Sequence, residues 1–161
     1  MPLVVITALV IHLSVLTRLQ VAGVMPDLML LLAVAGGITG GPVAGAVLGF
    51  VSGIALDVFL ETPLGLSGLV FSLVGYSVGA AQAGILRSSW WIPMLTAFIA
   101  STAGELLFAM AGTVVGTTAI DVRHLGIVVA VVGITNALLA PLAVRVVGWS
   151  LGRESRAGAY V

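Results

Sequence analysis

The sequence predicts an all-α integral membrane protein, a compact bundle of six transmembrane segments (the second one short) forming a single domain over residues 1–161. Three observations predict it. Hydrophobic residues make up 60% of the chain and charged residues 7%, where an average soluble domain carries about 25% charged residues. The mean hydropathy is +1.27, more apolar surface than a water-soluble fold can hide. Finally, Gly41, Gly45, Gly49, Gly53 and Asp57 follow one another at four-residue steps. On a helix such positions lie one above the other and make a ridge almost without side chains. Glycine costs a soluble helix about 1 kcal/mol per residue, whereas in lipid a bare ridge lets another backbone approach closely.

The segments follow in order. Leu3 to Thr17 is apolar, interrupted by His12, and closes at Arg18. Met1-Pro2 enters it without a basic leader, so this first segment is expected to stay as a span. Pro26-Asp27 reads as a helix start, with proline at the first position and an acid facing the positive end of the dipole. The second segment, Asp27 to Ile38, is roughly 18 Å long and weakened at its end by Gly36-Gly37. It leads through Thr39-Gly40-Gly41-Pro42 into the ridge helix, Val43 to Leu60. The turn Glu61-Thr62-Pro63-Leu64-Gly65 then opens the fourth segment, Leu64 to Leu86, with its own small face of Gly68, Ser72, Gly75, Gly79 and Ala83. Arg87 and the pair Trp90-Trp91 mark a membrane interface. The fifth segment, Trp91 to Val115, contains Glu105; the sixth, Leu125 to Trp149, contains Asn136, Pro141 and Arg145.

With six segments both termini share a side. Placing it in the cytoplasm puts Arg87, Arg145, Arg153 and Arg156 inside and Arg18 and Arg123 outside, the orientation that the positive-inside rule favours.

Several function classes are excluded. There is no lysine and the six arginines are scattered, so no nucleic-acid footprint forms. No cysteine means no disulfide or thiol chemistry. The chain has no Gly-x-Gly fingerprint, no P-loop and no Gly-x-Ser-x-Gly elbow. His12 and His124 lack a second metal ligand at helical spacing, and Asp121 beside His124 reads as a solvated loop end. No enzyme, no cofactor and no metal are expected. Polar groups inside the bilayer are costly and face protein rather than lipid. His12, Glu105 and Asn136 are read as one such cluster, either a hydrogen-bonded device that fixes helix register or a small-molecule or proton site. At least two of them are expected to bond each other. Asp57 is expected either to pair with Arg18 or to accept bonds from the turn at Thr62 to Gly65, and Tyr76 is read as a core aromatic. The ridge is expected to pack internally against the face of Gly68, Gly75 and Gly79, because the short turn makes the two segments antiparallel neighbours. A leucine at Gly49 should be damaging and an alanine tolerated.

Taken together these pieces resemble the MreD family of bacterial rod shape-determining membrane proteins. The residues that carry the resemblance are Pro26-Asp27, then Gly45, Gly49, Gly53 and Asp57 before Thr62-Pro63-Leu64-Gly65, Gly75-Tyr76, an acid in the fifth segment, and Asn136 five before Pro141. Glu61 departs from the pattern, which usually has a small residue there. The resemblance implies a multi-pass protein of the bacterial inner membrane, without catalysis of its own, in the cell-elongation and peptidoglycan-synthesis machinery. It also implies an MreC-like partner, with a RodA-type glycosyltransferase, a class B penicillin-binding protein and MreB in the same assembly, and membrane lipid around it. Asp57 with Pro63, Leu64 and Gly65 is the surface expected to meet the partner. The implied fold is similar to the S-components of energy-coupling-factor transporters. That similarity supplies the alternative, a vitamin-binding transporter subunit, which should show a roomy polar or aromatic pocket. A proton-coupled carrier using Glu105 is a third reading.

Overall fold

The computed structural model describes residues 2–12, 14, 26–59, 63–82, 91–116 and 122–157, with the side chains of 2–4, 122–124 and 153–157 left aside. Arg18, Glu61, Thr62, Ala83, Arg87, Trp90, Asp121 and the His124 side chain, all named above, lie outside the described residues. Among the described residues the protein is entirely helical. The helices are α1 (Pro2–Ile11), α2 (Leu28–Phe59), α3 (Leu66–Gln82), α4 (Ile92–Val115) and α5 (Val122–Ala157). Three stretches, Leu28–Phe59, Ile92–Val115 and Leu125–Gly152, are long and apolar enough to cross a membrane.

The second and third segments expected from the sequence are the two legs of α2, separated by a kink. Helix α2 runs through Thr39 and Gly40 and breaks at a single residue, Gly41, whose φ of 81° and ψ of −172° are non-helical. Glycine adopts such a positive φ without steric cost. Pro42 follows at the first position of the second leg, where a missing N–H does no harm. The legs then fold back on each other. The Ser52 hydroxyl donates to the Met29 carbonyl at 3.2 Å. A Cβ on Gly36 would meet Leu48 Cδ1 at 2.6 Å, and one on Gly45 would meet Gly37 Cα at 2.8 Å. As one residue number rises its partner's falls, so the legs are antiparallel. The first leg is the centre of the molecule: every residue from Met29 to Ile38 is buried. That explains why its sequence is apolar on all faces rather than on one.

Gly41 is therefore the hinge of the ridge: α3 meets its backbone at Gly79, but nothing lies within 4 Å of where its own Cβ would be. The steps are Gly45, Gly49 and Gly53, and the backbone of α3 fills the space above them. A Cβ on Gly45 would collide with the Gly75 carbonyl, one on Gly49 with the Phe71 carbonyl, and one on Gly53 with the Gly68 amide. The relation is mutual, since a Cβ on Gly75 would strike the Gly45 carbonyl and one on Gly79 would strike Gly41 and Pro42. Gly37, read from sequence only as a weak helix end, belongs to the same knot: its Cβ would lie 2.5 Å from the Gly75 carbonyl. Both legs of α2 thus meet α3 around Gly75.

Helices α4 and α5 close the other side. Pro93 lies in the first turn of α4, and Gly116 ends it at φ 78°, its N–H reaching the carbonyls of Gly112 and Thr113. Gly104 admits Leu30, whose Cδ2 would lie 2.9 Å from a Cβ there, and Gly133 admits Phe98 at 3.1 Å. The outer faces stay apolar and open: Val43, Val47, Phe50, Leu69, Ile99, Leu138 and Trp149 are all exposed, as befits a surface covered by lipid. Tyr76 belongs to that surface, half exposed at 51%, and is not a core aromatic.

The knot corrects the expectation that alanine is tolerated at Gly49, because a single methyl already has no room. Gly49→Ala is expected to cost about 1–3 kcal/mol and to lower the thermal unfolding temperature in mild detergent. Gly126→Ala, where no atom lies within 4 Å of the new Cβ, should leave it unchanged or slightly raised. Equal unfolding temperatures for the two variants would contradict the packing described.

Candidate functional site

Apart from Gln82 at the end of α3 and Ser150 late in α5, the interior polar residues gather where α1 finishes and α2 and α3 begin. Asp27 organises this end. Its Oδ1 accepts hydrogen bonds from the amides of Met29 (2.9 Å) and Leu30 (3.0 Å), capping the first leg of α2. Its own carbonyl accepts from Leu31 N–H at 3.2 Å and from Asn136 Nδ2 at 3.0 Å. The same Asn136 amide donates to Ser101 Oγ at 2.9 Å. A fully buried asparagine on α5 therefore ties α4 to the start of α2.

Asp57 does the equivalent for α3. Its Oδ2 accepts from the amides of Gly65 at 2.8 Å and Ser67 at 3.1 Å. Those N–H groups open α3 and have no partner within that helix, and the carboxylate complements the positive end of its dipole. Of the two expected uses of Asp57, the turn is thus the one described. Gly65 carries φ 95°, which lets the chain reverse between α2 and α3. With Asp57 only 2% exposed, its side chain is not available to a partner. At this turn Leu64 stands out instead, 77% exposed, beside a half-buried Pro63.

His12, Glu105 and Asn136 come to the same end, but no described hydrogen bond joins any two of them. Asn136 is used by Asp27 and Ser101, and its Oδ1 is left buried without a partner, as is His12 Nδ1. His12 and Glu105 instead line a cavity of about 190 Å³ together with Asp27, Ser67, Phe71 and Phe108. In place of the expected bond between two of the three, the described bonds centre on Asp27. That hub was half legible, since Pro26-Asp27 marked a helix start. Ser101 carried one signal, its place one turn before Glu105 on α4. Among the described residues no group of His, Asp and Glu side chains is placed to hold a metal ion.

Asp57→Ala removes the acceptor of two N–H groups at the start of α3 and should destabilise the protein by about 1–2 kcal/mol. A double-mutant cycle on Ser101→Ala and Asn136→Leu should return a coupling near the ~0.6 kcal/mol average of intramembrane hydrogen bonds. Thermal unfolding in detergent measures both, and strict additivity in the cycle would contradict the Asn136 to Ser101 bond.

No curated protein and no solved structure matches the chain. The family model described as rod shape-determining protein MreD matches residues 1–144, which include the hinge, the knot, both capping acids, Glu105 and Asn136. The chain is a membrane protein that belongs to the MreD family.

Proposed function

We propose that the protein is a non-catalytic scaffold of the bacterial cell-elongation machinery, holding an MreC-type partner in the inner membrane. A RodA-type glycosyltransferase, a class B penicillin-binding protein and MreB belong to the same assembly. The family match supports a role in rod shape determination. The observation that carries the scaffold reading is the disposition of the surface. The buried acids Asp27 and Asp57 are spent on internal caps, while a projecting apolar residue, Leu64, is held on a turn fixed by Asp57. A rigid apolar projection beside half-buried Pro63 is what a partner helix or strand can grip without ordering a loop first.

The two antiparallel legs of α2 support a six-span topology, with each leg counted as one pass. Residues 28–40 make a leg of roughly 20 Å and residues 42–59 one of roughly 27 Å at 1.5 Å per residue. The first leg is short for an apolar layer of about 30 Å, which its burial inside the protein makes tolerable. Six passes, with the arginine distribution, favour both termini in the cytoplasm.

Two measurements test this reading. Leu64→Glu should leave the protein abundant and monodisperse in mild detergent and reduce co-purification of the MreC-type partner severalfold. Undiminished co-purification would remove this surface from the interface. For topology, single cysteines at Ser88, Thr118 and Ser155 have no background thiol to compete with. An impermeant thiol reagent added to intact cells should reach only position 118, and labelling at 88 or 155 instead would invert the orientation.

A further inference from the structure

The cavity beside Asp27 is more than a gap between caps. Three ionisable side chains from three helical elements surround it: His12 following α1, Asp27 at the start of α2 and Glu105 on α4. Each keeps hydrogen-bonding capacity that the protein does not use. His12 is 7% exposed and its Nδ1 is buried without a partner. Asp27 uses Oδ1 for its two amides, and its second carboxyl oxygen has no described partner. Glu105 takes part in no described hydrogen bond, although it lies on a helix among apolar neighbours. A buried imidazole nitrogen left in this state, beside two part-buried carboxyl groups with unused oxygens, calls for an occupant. A cavity of about 190 Å³ is far larger than the ~10–15 Å³ that a single water needs on the same measure.

We propose that this cavity binds a small organic ammonium ion, a primary amine with a short apolar tail. The unused carboxylate oxygens accept and His12 Nδ1 can accept or donate, so a ligand rich in donors suits the site. Two carboxyl groups disfavour an anion, and the lack of a metal-holding cluster among the described residues argues against a bare metal ion. The remaining wall is apolar apart from Ser67 and includes two aromatic rings, Phe71 and Phe108. An ammonium head near carboxylates with its methylenes against phenyl faces combines charge-assisted hydrogen bonds with cation–π attraction. Asp27 and Glu105 would take the head beside His12, and the tail would lie toward Phe71, Phe108 and Val128. The proposal is independent of the scaffold function, because the Leu64 turn is not part of the cavity wall.

The test is titration of the purified full-length protein in nanodiscs with n-butylammonium chloride, followed by calorimetry and thermal unfolding. Sodium chloride at equal ionic strength and n-butanol are the controls. Butylammonium should bind saturably and raise the unfolding temperature, and neither control should do so. Glu105→Gln, nearly identical in shape, should weaken binding about tenfold or more. Val128→Phe, which fills the cavity without touching a polar group, should abolish it. Absence of saturable binding to the unaltered protein overturns the proposal whatever the variants do, as does equal binding of butanol. Undiminished binding to both variants would place any amine site elsewhere and overturn it equally.

Discussion

Everything in this bundle depends on two helices being allowed to touch backbone to backbone. Gly45 against Gly75, Gly49 against Phe71 and Gly53 against Gly68 leave no room for one methyl group. Such closeness multiplies weak dispersion contacts, which must supply the association energy where lipid tails are as apolar as the side chains they would replace. The second leg of α2 is held by α3 on one side and by the first leg on the other. Gly37 and Gly45 are the points where all three meet. Without the positive φ at Gly41 the fold-back could not begin, and without the bare ridge it would have nothing to close on.

The polar chemistry follows from that geometry. Helices brought this close have their ends buried, and a buried helix start exposes N–H groups that must find acceptors. Asp27 supplies them for α2 and Asp57 for α3, each with a single carboxylate oxygen spanning two amides. Asn136 and Ser101 then fasten α5 and α4 to the carbonyl of Asp27. The cavity lies where these caps, the end of α1 and the middle of α4 come together. Its polar lining is thus partly a by-product of capping, but His12 and Glu105 serve no cap.

Much of this was legible in the chain. Composition and segment lengths gave an all-helical membrane protein, and the four-residue glycine spacing marked α2 and α3 as the helices whose backbones touch. The Thr-Pro-Leu-Gly turn after Asp57 carried the family resemblance. What could not be read was geometry set by distant contacts. Gly41 looks like one more step of the ridge, and only its φ shows it to be the hinge. Gly36-Gly37 looks like a fraying end, yet Gly37 is packed as tightly as the ridge because α3 arrives there from another part of the chain. The partners of Asn136 lie 35 and 109 positions away, beyond any periodicity. Tyr76 was misread as core because an aromatic amid glycines suggests burial, whereas the glycine face of α3 points inward and Tyr76 away from it.

The most direct test of the α2–α3 contact is a disulfide across it, made possible by the absence of native cysteine. A Cβ on Gly68 would lie 3.0 Å from Ile54 Cγ1, within the reach of a disulfide. Cysteines at Ile54 and Gly68 should therefore oxidise in the membrane to an intramolecular bond under mild oxidant, read as a shift in electrophoretic mobility. Cysteines at Ile54 and Leu69, a residue that faces outward and is 64% exposed, should not. A bond in the second pair and none in the first would mean that α2 and α3 meet in a different register, and the account of the fold would fail with it.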